Sequence, residues 1–322
     1  MTTAEDNSGT LTGEGWDVIG DVHGEATKLR GLLTVMGYTH DGTGWRHPSR
    51  RAIFVGDLID RGPAQPEVVE IARIMVQRGD ALIVAGNHEF NAIAFATPRR
   101  NGEGYCRPHI DKNRKQHHKY LDQVGWDSEL HHQHLDWFRT LPSTVEVDGL
   151  RVVHACWDDT AIATIEPLLA DDGGFSPELI HAATDKGSEP WQAIEHLLKG
   201  PEVPLPRPYD FPAGVPRHEA RLQWWLADAT RLDEAVWIPG GATEPDGSPY
   251  VLTDDSPVVS PVEPYRSATP VVVGHYWFRG DPEPCSAKVA CVDYSAGKGG
   301  PLVAYRWSGE TELTAEHFAA FG

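Results

Sequence analysis

Ala52-Ile53-Phe54-Val55-Gly56-Asp57-Leu58-Ile59-Asp60-Arg61-Gly62-Pro63 decides how this chain is read: an apolar run, then at once two carboxylates and a guanidinium between glycines. Four successive apolar residues bounded by turn formers read as a strand buried on both faces, the kind that parallel sheets use. The polar residues leave from its carboxyl end, where open α/β sheets gather ligands. Two other stretches follow the same plan. Residues 16–19 run into Gly20-Asp21-Val22-His23-Gly24, and residues 81–84 run into Gly86-Asn87-His88-Glu89. Between them, residues 25–36 set Leu29, Leu32, Leu33 and Met36 at helical spacing before Gly37, and residues 66–77 supply the crossover helix of a right-handed βαβ unit.

Further along, residues 144–147 and 151–154 flank Asp148-Gly149, a dipeptide that favours a type I′ turn, and read as a hairpin ending in His154. Helical patterns follow to Lys199, and strands return at 271–273, 288–293 and 302–307, with His275 just past the first of these. Two segments stand apart. Residues 98–134 concentrate Arg99, Arg100, Arg107, Lys112, Arg114, Lys115 and Lys119, and residues 200–270 are crowded with proline and glycine around one helix expected at 218–229. The expected organisation is a flexible polar tail over 1–15 and a single domain over 16–322, with a basic insert at about 98–134 and a Pro-rich insert at about 200–270.

The chain has 322 residues, 40% of them hydrophobic, enough for a sizeable core. Its 28 Lys and Arg against 47 Asp and Glu give a formal charge of −19, a field that repels polyanions and argues against general nucleic-acid binding. Four scattered cysteines with no CxxC pair fit reduced thiols and a cytoplasmic setting, and no window has the apolar length of a membrane span.

Carboxylate, imidazole and amide oxygen at neighbouring strand ends suit a metal of intermediate softness such as manganese, iron or zinc. The ordered set GDxHG, GDxxDRGP, GNHE, His and GH resembles the calcineurin-like metallophosphoesterases, and within them the PPP-type phosphatases, over residues 16–307. That resemblance implies an α/β fold, a β-sandwich flanked by helices in four layers, α/β/β/α. It implies two divalent transition-metal ions, manganese foremost, with Asp21 and His23 on one, Asn87, His154 and His275 on the other and Asp57 bridging both. It also implies in-line attack by a hydroxide shared between the ions. His88 would protonate the leaving oxygen, Asp60 would orient His88, and Arg61 would grip the phosphate. The glycines at 24, 62 and 86 leave room where ligands crowd.

The chain departs from the protein-phosphatase pattern at Ala85, where those enzymes carry an arginine, and at Ala155-Cys156-Trp157, where they carry paired glycines. The ending Cys291-Val292-Asp293-Tyr294-Ser295 is more like the bacterial diadenosine-tetraphosphatase-like and RNA-repair branches, where Asp293 matches an acidic site residue. The expected activity is hydrolysis of phosphate monoesters, with phosphorylated protein, peptide or a small phosphoester as partner. The alternative is a dinucleoside polyphosphate hydrolase. A regulatory protein with a dead site would need a lost ligand, and none is missing. Because Ala85 removes a cation, Arg99, Arg100, Arg107 and Arg114 are expected to fold back over the site as substrate-binding residues, with the Pro-rich insert as the opposite wall. His117, His118, His131, His132 and His134 are expected to be solvated on an amphipathic helix. Trp224 and Trp225 are expected to pack within a helix, Cys156 to act as a small buried hydrophobe, and Glu89 to favour its helix dipole.

Overall fold

The computed structural model describes residues 15–211 and 214–322. Gly15 begins the first strand, and the rest of the expected tail lies outside the described residues. β1 (Gly15–Ile19) leads through α1 (Ala26–Val35) and the small hairpin β2 (Thr39–His40) and β3 (Trp45–Arg46) to β4 (Arg50–Phe54). α2 (Gln65–Gln77) returns the chain to β5 (Ala81–Ile83), and α3 (Asn87–Ala96), α4 (Asp111–Val124) and α5 (Glu129–Arg139) follow. The hairpin of β6 (Thr144–Val147) and β7 (Leu150–Val153) precedes α6 (Asp159–Ile165), α7 (Pro177–Ala182) and α8 (Glu189–Lys199). Next come β8 (Glu202–Asp210), β9 (Pro216–Leu222), α9 (Leu232–Ala235) and β10 (Val236–Trp237). The chain closes with β11 (Val271–Val273), β12 (Val289–Cys291), β13 (Leu302–Trp307) and β14 (Phe318–Phe321).

Two sheets form the centre, one in the order β14-β13-β1-β4-β5 and the other in the order β12-β11-β7-β6. β1, β4 and β5 run parallel, as do β7, β11 and β12, so their carboxyl ends lie side by side within each sheet. Period-two alternation explains why both faces of each sheet are apolar. Val18, Ile53 and Val55 meet Val152 and Val272 in one cluster between the sheets. Their neighbours Ile19, Phe54, Val153 and Val273 belong to the outer cluster, with Leu29, Leu32, Val68 and Val69 from α1 and α2 and Leu197 and Leu198 from α8. The expected four-layer α/β/β/α architecture is therefore present. Each fully buried aliphatic side chain contributes about 1.5–3 kcal/mol, and the interleaving fixes register, since a one-residue slip would exchange the two faces.

The segment 200–270 is more ordered than its composition suggests: β8, β9 and β10 form a three-stranded antiparallel sheet. The helix expected at 218–229 is a strand to Leu222 followed by turns. Its residues pair with β8, and this tertiary pairing overrides local helical propensity. Trp224 and Trp225 are nevertheless buried packing residues, and Trp224 donates its indole N–H to the Ala155 carbonyl. Cys156 is buried, as expected.

Candidate metal centre

Asp57 lies at the middle of the site. It begins the loop after β4 with φ 52°, a left-handed conformation that non-glycine residues adopt only when their surroundings impose it. His23, Asp60, His275, Trp277 and Ser295 also have positive φ, so strain collects around one crevice. Glu89 supplies part of the constraint. Its buried carboxylate accepts the amides of Asp57 (2.8 Å), Leu58 (2.8 Å) and Gly86 (2.9 Å), which ties the loop after β4 to the start of α3. Its role thus reaches past its own helix dipole. A Cβ at Gly86 would lie 2.3 Å from Asp57 Oδ1, and one at Gly274 2.1 Å from Asp21 Oδ1, so both positions require glycine.

Asp57 Oδ2 lies 3.7 Å from His23 Nε2 and 3.8 Å from His88 Nε2, while Oδ1 lies 3.5 Å from His154 Nε2. His23 and His154 each donate Nδ1–H to a main-chain carbonyl, of Ile59 and Val55 respectively, both at 2.7 Å. The Nε2 lone pairs are thereby aimed inward, the usual outer-layer arrangement for ligating histidines. Asn87 Oδ1 is 3.2 Å from His154 Nε2. His275 has both ring nitrogens buried with no hydrogen-bond partner, and its amide donates to Asp21. The ligand atoms of His23, Asp57 and His88, and those of Asp57, His154 and His275, lie within 4.8 Å of one another. Asp21 falls outside both groups, although it sits within electrostatic reach of Asp57.

The titration of these groups shows what is lacking around them. Burial, with Asp293 and Asp57 nearby, pushes Asp21 well above the usual carboxylate range. Burial lowers His23 to about 4 and holds His275 well below the ordinary imidazole value. The lowered imidazoles of His23 and His275, the latter with no hydrogen-bond partner, and a cluster of buried carboxylates form a donor set that two divalent cations satisfy.

Behind the candidate ligands lies a line of three side chains. His88 Nδ1 is 2.6 Å from Asp60 Oδ2, and His117 Nδ1 is 2.8 Å from Asp60 Oδ1. Burial alone would lower the His88 pKa, but Asp57 and Asp60 outweigh it and raise the value. His117 corrects the expectation of a solvated histidine tract: it is fully buried, as are His131 and His134 nearly so, because α4 and α5 turn these faces to the core. The signal was present in the spacing His117, Tyr120, Val124 and in His131, His134, Leu135, Phe138, which are apolar stripes at helical period. His118 and His132 are exposed, as expected.

The four arginines of the basic segment part ways. Arg99 and Arg114 donate to the carbonyls of Tyr105 and His109 in their own segment, and Arg100 is exposed. Arg107 has Asp60 as its leading charged neighbour, while it bonds Gln116 Oε1. Asp293 lies beside Asp21, but its oxygens accept the amides of Trp277 (2.8 Å) and Ser295 (2.9 Å). The cations that do gather at the crevice come from elsewhere. Arg221 of β9 donates to the His275 carbonyl at 3.2 Å, a Cβ at Gly297 would touch Arg61 and His23, and the next residue, Lys298, has Arg61 as its leading charged neighbour. Lys298 is held below its ordinary value by burial and then by Arg61, with Arg221 and Arg279 adding to the effect. Among the described residues none of these four cations has an ion-pair partner. Sequence reasoning missed Arg221, Arg279 and Lys298 because no motif marks them.

Residues 17–240 match the family model described as calcineurin-like phosphoesterase, and they contain four of the five strand ends that build this site. The chain belongs to the calcineurin-like phosphoesterase family. Members of this family use divalent metals in a binuclear site, and the donor set around Asp57 fits such a pair. The bis(5'-nucleosyl)-tetraphosphatase PrpE of Halalkalibacterium halodurans is 43% identical over 74 residues, 23% of this phosphoesterase and 30% of that protein. The protein of the same name from Bacillus subtilis is 35% identical over 74 residues, again 23% and 30%. The chain thus spans about a third of the length of the curated relatives it matches. Among solved structures, a Saccharomyces cerevisiae serine/threonine phosphatase with similarity to human PP5 superposes with a TM-score of 0.52 at 13% identity, covering 98% of this chain and 81% of that one. No helix among the described residues is long and apolar enough to cross a membrane.

Proposed function

We propose that this phosphoesterase is a two-metal hydrolase of phosphate esters or phosphoanhydrides, and the observation that carries the reading is the convergence of His23, His88, His154 and His275 on the two oxygens of Asp57. Asp21, His23 and Asp57 would hold one ion, and Asp57, Asn87, His154 and His275 the other. When bound, such a pair acidifies a water and neutralises phosphoryl charge. The chain's own groups do the rest. Asp57 fixes the crevice by accepting the His88 amide. His88 carries its proton on a nitrogen adjacent to the crevice and delivers it to the departing oxygen, with Asp60 and His117 holding the imidazole in place. Arg61 and Arg221 grip phosphoryl oxygens from two sides, and Arg221 takes the place of the arginine absent at Ala85.

Two substrate classes fit this chemistry, phosphomonoesters of protein or peptide and dinucleoside polyphosphates. The unpaired cations favour the second, since one phosphoryl group already met by two divalent ions, Arg61 and Arg221 leaves little charge for Arg279 and Lys298 to neutralise. The activity for which the PrpE relatives are named points the same way. The test is a kinetic panel of an aryl phosphate, a phosphopeptide set and diadenosine tetraphosphate, with Mn²⁺ supplied and then removed by chelator. All hydrolysis should stop on chelation and return with Mn²⁺, and the tetraphosphate should have the highest kcat/KM. Full activity in metal-stripped protein would sink the mechanism, and a peptide preference would reverse the substrate choice. Asp57→Asn should abolish turnover and lower bound metal below two per chain. Retention of both metals would show that another residue joins the ions.

A further inference from the structure

A cavity of about 480 Å³ opens beside the candidate metal centre, with Arg279 and Lys298 in its lining. Its volume falls in the range that takes small organic ligands. Trp237, from β10 of the insert, and Trp277, two residues past His275, stand in its wall together with Phe211 and Phe278. A second cavity of about 270 Å³ meets the same wall, sharing Phe211, Trp237 and Trp277. Partly exposed aromatic side chains grouped in one concave wall offer a flat apolar surface to a planar ligand.

Trp277 is also fixed in place. Its backbone has φ 56°, its amide donates to Asp293 at 2.8 Å, Lys298 Nζ lies 3.9 Å from its ring centroid, and the Arg221 guanidinium lies 4.6 Å away. Two unpaired cations of the phosphate region therefore rest on the same indole that lines the cavity. From His275 to Trp277 the ring centroids are 6.3 Å apart. The cavity thus begins one side chain from a candidate metal ligand, with Lys298 at the join. Asp281 and Glu283, exposed and without an ion-pair partner among the described residues, line the cavity and offer hydrogen-bond acceptors.

We propose that this cavity is a nucleoside subsite: a nucleobase stacks on Trp237 and packs against the edge of Trp277, whose ring carries Lys298 and Arg221, the acidic rim accepts hydrogen bonds from its amino group or from the ribose, and the attached phosphates run past Lys298 and Arg221 to the metals. The inference rests on the polyphosphate reading above and assigns its specificity to particular residues. A flat, neutral, hydrogen-bonding ring joined to several negative charges is the ligand whose parts match the order aromatic wall, acidic rim, cation row. A peptide would place its backbone amides against a wall that offers mostly rings.

The experiment compares ATP with inorganic tripolyphosphate, which carries similar charge and no base. Each is titrated into the Mn²⁺-loaded protein, with tryptophan fluorescence and competition against aryl phosphate hydrolysis as independent readouts. ATP should bind at least about tenfold more tightly, because base–aromatic stacking gives roughly 5- to 150-fold per base. Trp277→Ala and Trp237→Ala should each shrink the ATP-to-tripolyphosphate ratio, and Trp277→Phe should restore much of it. Equal affinity of the two ligands for the unaltered protein would overturn the subsite, as would a phosphotyrosine peptide that outcompetes ATP, or a ratio unmoved in both alanine variants. If the ATP preference holds while chelation fails to stop hydrolysis, the two-metal reading fails and the pocket stands. Chelator-sensitive hydrolysis without an ATP preference removes the pocket and leaves the two-metal reading in place.

Discussion

Residues 98–134 carry 7 Lys and Arg against 5 Asp and Glu, whereas residues 200–270 carry 5 against 11. On charge alone the first should be the phosphate-binding wall. The structure divides the work differently. The basic segment directs Arg99 and Arg114 to its own carbonyls and sends an imidazole, His117, inward to Asp60. The acidic segment supplies Arg221, which reaches the carbonyl of His275. Net charge sets the field at a distance, but a clamp depends on which side chain is left without a partner at the crevice.

The contrast is sharpest at Arg221. Arg221→Ala should lower kcat/KM for phosphoesters by about 10²-fold, the scale seen when one preorganised charge-stabilising donor is removed, with metal content unchanged. Wild-type kinetics in that variant would return the clamp to the basic segment. His117→Leu should cost about tenfold in kcat, less than the full loss of a general acid, and the loss should grow as the leaving group becomes poorer. A loss that is uniform across leaving groups would mean that His117 only fills space.

The basic segment should also show an acid sensitivity of its own. Burial holds His131 and His134 at about 4, against 6.5 for the free side chain. Between those values the unfolded chain binds more protons than the folded one, so stability is full above about 6.5 and falls as pH drops toward 4. His131→Gln combined with His134→Gln should flatten the slope of Tm against pH in that window. An unchanged slope would place the acid sensitivity elsewhere. Smallest of all, Arg99→Ala, Arg100→Ala and Arg114→Ala should change kcat/KM by less than about twofold, as expected of exposed charges, and any larger effect would restore these residues to the cleft.

Much of the fold was legible because periodicity and motif agreed. The strand at 302–307 and the βα units at either side of Asp57 read directly from apolar runs ended by glycine, and six ligand candidates followed because each sits where such a run stops. His117 was legible in principle through its spacing with Tyr120 and Val124. It was overlooked because a cluster of polar letters hid a stripe that burial treats as one face. Arg221 and Lys298 were not legible. Their position depends on a strand pairing within the insert and on a tight turn at Ser295–Gly300, and neither leaves a local pattern. The helix expected at 218–229 failed for the same reason, since β8 decides the conformation of β9.

The His275 amide donates to Asp21 across 254 residues of chain. Closing a loop of that length comes late, after local helices and hairpins have formed. Divalent-ion uptake is therefore expected to report the final stage of folding: during refolding, helical circular dichroism should recover first, and tight divalent-ion binding should trail it, because an unfolded chain carries the candidate ligands before they converge.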